Sequence, residues 1–280
     1  MKATKVIVPA KINLTLDVLG VSGGYHELES LVASIDLVDA VTVFPKNGGE
    51  IGLRTEGIPC LCPKEKNNAY KAAKAFFAER EGSADIVIEK HIPVGGGLGG
   101  SSADAAGVLK ALGVAYGAGE EAVSRLAESV GSDVKYMLRG GYAVLRGRGE
   151  RVEYLESGVS LPLLALLSDY PVNTAECYRK CDELGLCPVN GTARAAESLQ
   201  RGDIAALKAN LFNGMTEAAK RLNGQIGGNL AALESAGGAA LMSGSGGTTF
   251  AVFETEAERD KAYEKLRPAF GSKLLKCKTI

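Results

Sequence analysis

Five glycines fall within the six residues 95–100, inside the stretch Pro93-Val94-Gly95-Gly96-Gly97-Leu98-Gly99-Gly100-Ser101-Ser102-Ala103-Asp104-Ala105-Ala106. An apolar run precedes this stretch and an alanine-rich one follows, so it reads as a turn from a strand into a helix. Residues without side chains let a backbone approach a ligand closely, and the open N–H groups at a helix start favour an anion. Ser101 and Ser102 add hydroxyls that can cap the helix, bind phosphate or join a magnesium shell. Five glycines exceed what capping needs, so residues 93–103 read as a phosphate-binding loop. No G-x-x-x-x-G-K-[ST] run exists, which excludes the P-loop class. Gly95-x-Gly97-x-x-Gly100 matches the dinucleotide fingerprint in form. The region 113–119 makes a poor second strand, however, so a dehydrogenase is a weak alternative.

Composition narrows the field further. Glycine accounts for 36 of 280 residues, about twice ordinary usage, without a collagen-like period. The 32 Lys plus Arg nearly balance the 33 Asp plus Glu, which argues against a nucleic-acid coat or a polybasic membrane binder. The longest apolar run, Leu161 to Leu167, is too short to cross a bilayer. With no leader or lipidation motif read at the N-terminus, a cytoplasmic location is expected. The six cysteines at 60, 62, 177, 181, 187 and 277 form no CxxC pair. Cys177 and Cys181 could clamp a metal, but reduced thiols are the better reading. His26 and His91 alone could serve a hydrolase triad, and no G-x-S-x-G elbow accompanies them.

Alternation predicts strands at 4–8 and 12–18. In the second, Lys11, Asn13, Thr15 and Asp17 share one face, and Ile12, Leu14, Leu16 and Val18 the other. Further strands are expected at 29–35, 40–44, 50–54, 84–90, 142–146, 161–167, 239–242, 248–253 and 272–279. Helices are expected from Asn67 or Asn68, from about 102, around 123–130, and at 174–185, 193–200, 203–222, 225–236 and 255–267. With the extra helices set aside, the second half follows β-α-β-β-α-β, a ferredoxin-like plan. The chain reads as two α+β domains, 1–155 and 156–280.

Several motifs resemble those of the GHMP-superfamily small-molecule kinases. Pro9-Ala10-Lys11-Ile12-Asn13-Leu14 and Gly24-Tyr25-His26-Glu27-Leu28 are similar to that family's opening, and the glycine loop to its second motif. Gly131-Ser132-Asp133-Val134 resembles its catalytic aspartate segment, and Met242-Ser243-Gly244-Ser245-Gly246 its third motif. The likeness spans nearly the whole chain. It is strongest to kinases acting on 4-diphosphocytidyl-2-C-methyl-D-erythritol, a cytidine diphosphate-linked polyol. It implies an N-terminal domain like ribosomal protein S5 domain 2 and a ferredoxin-like C-terminal domain, the two-domain GHMP kinase fold.

The resemblance also implies roles. Lys11 and Asp133 would be catalytic, Lys11 stabilising anionic oxygens and Asp133 taking the hydroxyl proton. Read without the family, Lys11 and Asn13 look like exposed polar residues of a half-solvated sheet, and Asp133 like a helix N-cap. Tyr25, His26 and Tyr178 match positions that hold the cytosine ring, although Tyr178 alone would pass for a core residue. Asn13 and Thr174 would meet the substrate's phosphates or polyol, with Ser243, Gly244, Ser245 and Gly246 nearby. Asn67 or Asn68 and Lys90 would contact the nucleoside of ATP, and Pro93, Val94, Gly95, Gly96, Gly97, Leu98, Gly99, Gly100, Ser101, Ser102 and Ala103 its phosphates. Ser102 is a candidate magnesium ligand. Expected cofactors are ATP and Mg2+, with no nucleic-acid or membrane partner and a monomer or homodimer. Competing readings are a kinase for homoserine or a mevalonate derivative, and a non-catalytic nucleotide-binding paralogue.

Overall fold

The computed structural model describes residues 2–59, 62–185 and 187–280, so Cys60 lies outside the described residues. The chain forms two compact units, and it enters each more than once. The first comprises Met1–Ala10, Leu37–Val94 and Gly99–Gly140; the second comprises Lys11–Asp36, Gly95–Leu98 and Gly141–Ile280. Strands β1 (Thr4–Asn13) and β3 (Tyr25–Lys46) are long enough to contribute to both.

In the first unit, β5 (Ser83–Lys90) pairs antiparallel with the far half of β3 and parallel with β4 (Gly52–Gly57). Helix α1 (Asn68–Ala78) packs on α2 (Gly100–Tyr116), which also meets α3 (Glu120–Val130) and α4 (Val134–Arg139). Asn67 starts α1, its side chain accepting from Ala69 N, and Ala69, Ala72, Ala73 and Phe76 form the buried stripe. Truncating a fully buried phenylalanine such as Phe76 to alanine costs about 3–5 kcal/mol. Helix α2 is built from small residues because it lies close to the strands. A Cβ on Gly107 would stand 2.8 Å from Val41 Cγ2 and 2.9 Å from Val8 Cγ1.

In the second unit, the near half of β3 pairs antiparallel with β2 (Thr15–Ser22) and β6 (Tyr142–Gly147), and β6 with β7 (Arg151–Leu155). A separate four-stranded antiparallel sheet has the order β10 (Ala239–Met242), β11 (Thr249–Val252), β8 (Pro162–Leu166), β12 (Leu274–Lys278). That order is the ferredoxin-like one expected from the sequence. Helices α9 (Gln225–Ser235) and α10 (Glu256–Phe270) cover it, joining Leu164, Leu166, Leu233, Phe253, Ala262 and Leu266 in one core. Thr255 and Glu258 close a capping box at the start of α10, which holds two otherwise open N–H groups. The added helices are α5 (Thr174–Leu184), α6 (Thr192–Gln200), α7 (Ile204–Ala209) and α8 (Thr216–Leu222).

Three expectations need correction. The strands predicted at 29–35 and 40–44 are one continuous strand, β3, because different partners pair with its two halves. The helix predicted over 203–222 is interrupted by β9 (Phe212–Asn213), which pairs parallel with β2. Asn210 ends α7 by donating to Ala206 O, and Asn213 turns its amide to Met242 O and Gly244 O. The strand predicted at 12–18 is broken at Leu14: Lys11 and Asn13 end β1, Thr15 and Asp17 begin β2, and none of the four exceeds 5% exposure. These side chains belong to a buried polar seam, not to the solvated side of a sheet.

Candidate active site

The seam in the second unit gathers motifs that are far apart in sequence. Lys11 Nζ donates to Asn13 Oδ1 at 2.6 Å, and Gly244 N donates to the same oxygen at 2.9 Å. Asn13 Nδ2 donates to Ser30 Oγ at 2.8 Å. The amide of Asn13 is therefore oriented by three partners, and it aims the lysine. Lys11 N bonds Leu98 O, Ser243 Oγ bonds Gly97 O, and Thr248 N bonds Gly96 O. The two glycine-rich turns are thus laced together. Gly97 has φ +75°, and a Cβ there would sit 2.2 Å from the Ser243 carbonyl oxygen, so no other residue fits. Thr174, at the start of α5, shares a hydroxyl contact of 2.9 Å with Ser245.

This lacing also sets the polarity of the loop. The carbonyls of Gly96, Gly97 and Leu98 accept hydrogen bonds from the protein, while the N–H groups from Gly95 to Ser101 have no protein partner among the described residues. Such a run of open amides is what an anion requires. The helix that follows is capped by Gly99, at φ +71°, with no side-chain cap. The capping reading of Ser101 and Ser102 is therefore replaced: both lie within the first turn, Ser101 exposed and Ser102 half-buried.

The aromatic candidates also lie in the second unit. His26 stacks on Tyr178 with centroids 4.4 Å apart and planes at 16°. His26 Nε2 lies 2.9 Å from Asp182 Oδ1. Tyr25 is exposed, with the Arg148 guanidinium 3.8 Å above its ring. A cavity of about 250 Å³ is lined by Asp17, His26, Cys181, Asp182, Cys187 and Gly214 among others. Asp17 accepts from Val189 N and Asn190 N, which ties the segment after α5 to β2. Cys177 Sγ donates to Met215 O at 3.9 Å, and the neighbouring Cys181 thiol, together with burial, pushes the Cys177 thiol up, while Cys177 pulls the Cys181 thiol down. Tyr178 packs partly against the core, so its sequence reading as a core residue holds for part of its ring.

In the first unit, Lys90 is enclosed by two carboxylates. Its ammonium bonds Asp39 and stands 2.8 Å from Asp104 Oδ2, with Lys90 and Asp104 each 4% exposed and Asp39 fully buried. Asp39 also accepts from His91 N and Ile92 N. Asp104 Oδ1 has no hydrogen-bond partner among the described residues. Burial raises the Asp104 carboxyl to about 7, against the attraction of Lys90. Gly100 opens α2 above this cluster, where a Cβ would meet Ile92 Cγ2 at 2.8 Å and Lys90 Nζ at 3.0 Å. Asn67 uses Oδ1 to cap α1, and Asn68 Oδ1 receives Lys71 Nζ at 3.4 Å. Pro93 and Val94 lead into the loop, Val94 exposed, and Ala103 is buried. Asp133 occupies the N-cap position of α4, half-buried, but its side chain makes no capping bond.

Sequence reasoning missed Asp39, Ser30, Asn213, Arg148 and Asp182. Only Asp182 carried a local signal: it follows Tyr178 by four residues, on the same face of α5.

Among the described residues, no group of three or more His, Cys, Asp or Glu side chains is disposed to hold a metal, and no helix is long and apolar enough to cross a membrane. Residues 67–145 match the family of GHMP kinases N terminal domains, and residues 195–273 that of GHMP kinases C terminal domains. The 4-diphosphocytidyl-2-C-methyl-D-erythritol kinase of Syntrophomonas wolfei is 36% identical over 270 residues, covering 94% of this chain and 93% of its own. The kinase of the same name from Pelotomaculum thermopropionicum is 40% identical over 250 residues, covering 87% and 86%. A crystal structure of 4-(cytidine 5'-diphospho)-2C-methyl-D-erythritol kinase superposes with a TM-score of 0.81 at 33% identity, covering 99% of each chain. The two-domain α+β fold, the family motifs and these full-length likenesses agree: the chain belongs to the GHMP kinases, in the family of the 4-diphosphocytidyl-2-C-methyl-D-erythritol kinases.

Proposed function

We propose that the chain is an ATP-dependent kinase that phosphorylates the 2-hydroxyl of 4-diphosphocytidyl-2-C-methyl-D-erythritol in the non-mevalonate isoprenoid pathway. The observation that carries this reading is the run of open N–H groups from Gly95 to Ser101, laced to Lys11 and to the Ser243–Gly246 turn. In the reaction the substrate oxygen bonds to the γ-phosphorus, the bond to the bridging β,γ-oxygen breaks, and ADP leaves. Asp133 takes the hydroxyl proton. Lys11 stabilises the anionic oxygens, its position fixed by Asn13. Phosphoryl transfer asks a protein mainly for such positioning and charge stabilisation.

The glycine loop, from Pro93 to Ala103, takes the ATP phosphates, and Asn67 or Asn68 lies at the nucleoside. The Lys90 ammonium is committed to Asp39 and Asp104, so its part at the nucleoside falls to its main chain. Tyr25, His26 and Tyr178 hold the cytosine, and Asn13, Thr174 and the Ser243, Gly244, Ser245 and Gly246 turn meet the diphosphate or polyol. Magnesium takes oxygen ligands and is held largely by substrate phosphates and water. The Ser102 hydroxyl has no protein partner among the described residues, and no dedicated acidic cage occurs there. That donor chemistry fits a magnesium ion carried by the nucleotide, which would neutralise phosphate charge. We place the junction of the two family domains near residue 155, and read the protein as cytoplasmic and as a monomer or homodimer.

The test is ADP release with Mg-ATP on 4-diphosphocytidyl-methylerythritol, its cytidine-free analogue, homoserine and mevalonate, with Asp133→Asn in parallel. Turnover confined to the cytidine compound and lost in the variant is expected. Turnover on homoserine or mevalonate instead would overturn the substrate assignment, since neither carries a base for Tyr25, His26 and Tyr178. ATP binding without turnover on any acceptor would make the chain a non-catalytic paralogue.

A further inference from the structure

His26 is held by two contacts that differ in kind. The stack on Tyr178 fixes the plane of its ring, and the Asp182 contact at Nε2 fixes its rotation within that plane. Asp182 comes from α5 and His26 from β3, so the arrangement ties two distant segments of the second unit together. It does so at the wall of the cavity that both residues line. The chemistry of the contact decides more than orientation. A carboxylate oxygen can only accept, so Nε2 carries the proton in this bond. In the neutral ring Nδ1 is then left with a lone pair. Nδ1 has no protein partner among the described residues.

We propose that Asp182 is a positioning residue that sets the tautomer of His26, leaving Nδ1 as an acceptor that selects a 4-aminopyrimidine over a 4-oxopyrimidine. The inference rests on the reading of His26 as a base contact made above. Cytosine presents a donor at its exocyclic amino group, and uracil presents a carbonyl oxygen at the same position. An Nδ1 acceptor pairs with the first and faces a second acceptor in the other. Without Asp182 the ring could protonate at either nitrogen, and an Nδ1–H would suit the oxo base instead. A stacking partner alone could not discriminate, because every base has a π-face. A mispaired polar contact in a binding site costs enough to separate the two bases by about 10- to 100-fold.

The protein has only two histidines, so nitrogen-15 spectra of the full chain, with His91→Gln as the assignment control, read the His26 tautomer directly. Wild type should show a protonated Nε2 and a bare Nδ1, and Asp182→Ala a mixture. The Asp182 side chain is 55% exposed, so its removal leaves the fold intact. Calorimetric titration with cytidine 5'-diphosphate and uridine 5'-diphosphate then measures selectivity without requiring turnover. Wild type should prefer the cytidine compound, and Asp182→Ala should shrink that preference about tenfold. Asp182→Glu, which keeps a carboxylate, should restore part of it. A wild-type ring protonated at Nδ1 would overturn the proposal. So would an unchanged preference in Asp182→Ala alongside a shifted tautomer. If neither nucleotide binds wild type, the base-site reading itself fails, and the selectivity inference falls with it.

Discussion

Two lysines in this chain are almost equally hidden, Lys11 at 5% exposure and Lys90 at 4%, and they are held in different ways. Lys90 is gripped by two buried carboxylates, Asp39 and Asp104, beneath the start of α2. Lys11 donates to the amide of Asn13, which is itself held by Gly244 N and Ser30. Two carboxylates hold Lys90 by charge, whereas the Asn13 amide adds direction to Lys11. The first arrangement suits a strut and the second a group that must be aimed. Burial of a lysine is therefore no guide to its role until the charge of its partners is known.

The largest effects come from breaking each lysine in turn. Lys90→Met leaves two carboxylates in the interior without their counter-charge and should cost about 3–5 kcal/mol of stability. Lys11→Met should lose at least about 10²-fold in kcat, a loss larger than any change in its urea midpoint accounts for. Urea titration and steady-state kinetics on both variants check the contrast. If Lys90→Met kept full stability and lost only turnover, the strut reading would be falsified.

The next pair of substitutions sharpens the same comparison at the backbone. Gly97→Ala, among the neutral turns, meets a φ of +75° and a carbonyl oxygen 2.2 Å away. Neither the chain nor the carbonyl can yield, and a loss of about 2–4 kcal/mol is expected. Gly100→Ala, above the charged cluster, meets side-chain atoms rather than backbone: Ile92 Cγ2 at 2.8 Å, Lys90 Nζ at 3.0 Å and Ile92 Cβ at 3.2 Å. Alanine is the better helix former by about 1 kcal/mol, which offsets part of that crowding, so the loss should be smaller than for Gly97→Ala. Comparing the two urea midpoints tests whether the laced turns are the less forgiving of the two regions.

Much of the second region was legible in the sequence, and little of the first. Strand alternation put Lys11 and Asn13 on one face, and the structure joins them by a hydrogen bond. The glycine cluster announced a backbone surface with open N–H groups, and those groups have no protein partner among the described residues. The β-α-β-β-α-β succession of the second half followed from local periodicity, and the sheet order β10-β11-β8-β12 fits it. The charged cluster was invisible because its members are Asp39, Lys90 and Asp104, separated by 51 residues in one case. No local pattern couples them. Asp104 falls where any acid favours a helix start, although its partner Lys90 lies on β5. The interrupted helix over 203–222 failed for a similar reason: Asn213 answers to carbonyls near residue 243, not to its neighbours.

The smallest effect separates neutral networks from charged ones by their response to pH. Tyr142, in the second unit, donates to Thr279 Oγ1 at 2.6 Å and lies 3.1 Å from Val159 O. Burial pushes its phenol up to about 12, although the Thr279 bond acts in the opposite direction. An acid whose folded value is raised favours the fold while it stays neutral. Its contribution is complete below pH 10 and is lost as pH rises through about 12, at up to about 1.4 kcal/mol per pH unit. Tyr142→Phe removes the hydroxyl and both of its contacts. It should therefore cost about 1 kcal/mol near neutrality and show a shallower decline between pH 10 and 12. Urea midpoints across that range read both effects. Parallel alkaline limbs for the two proteins would mean that the decline arises elsewhere, and that the hydroxyl pair with Thr279 is only one neutral contact among several.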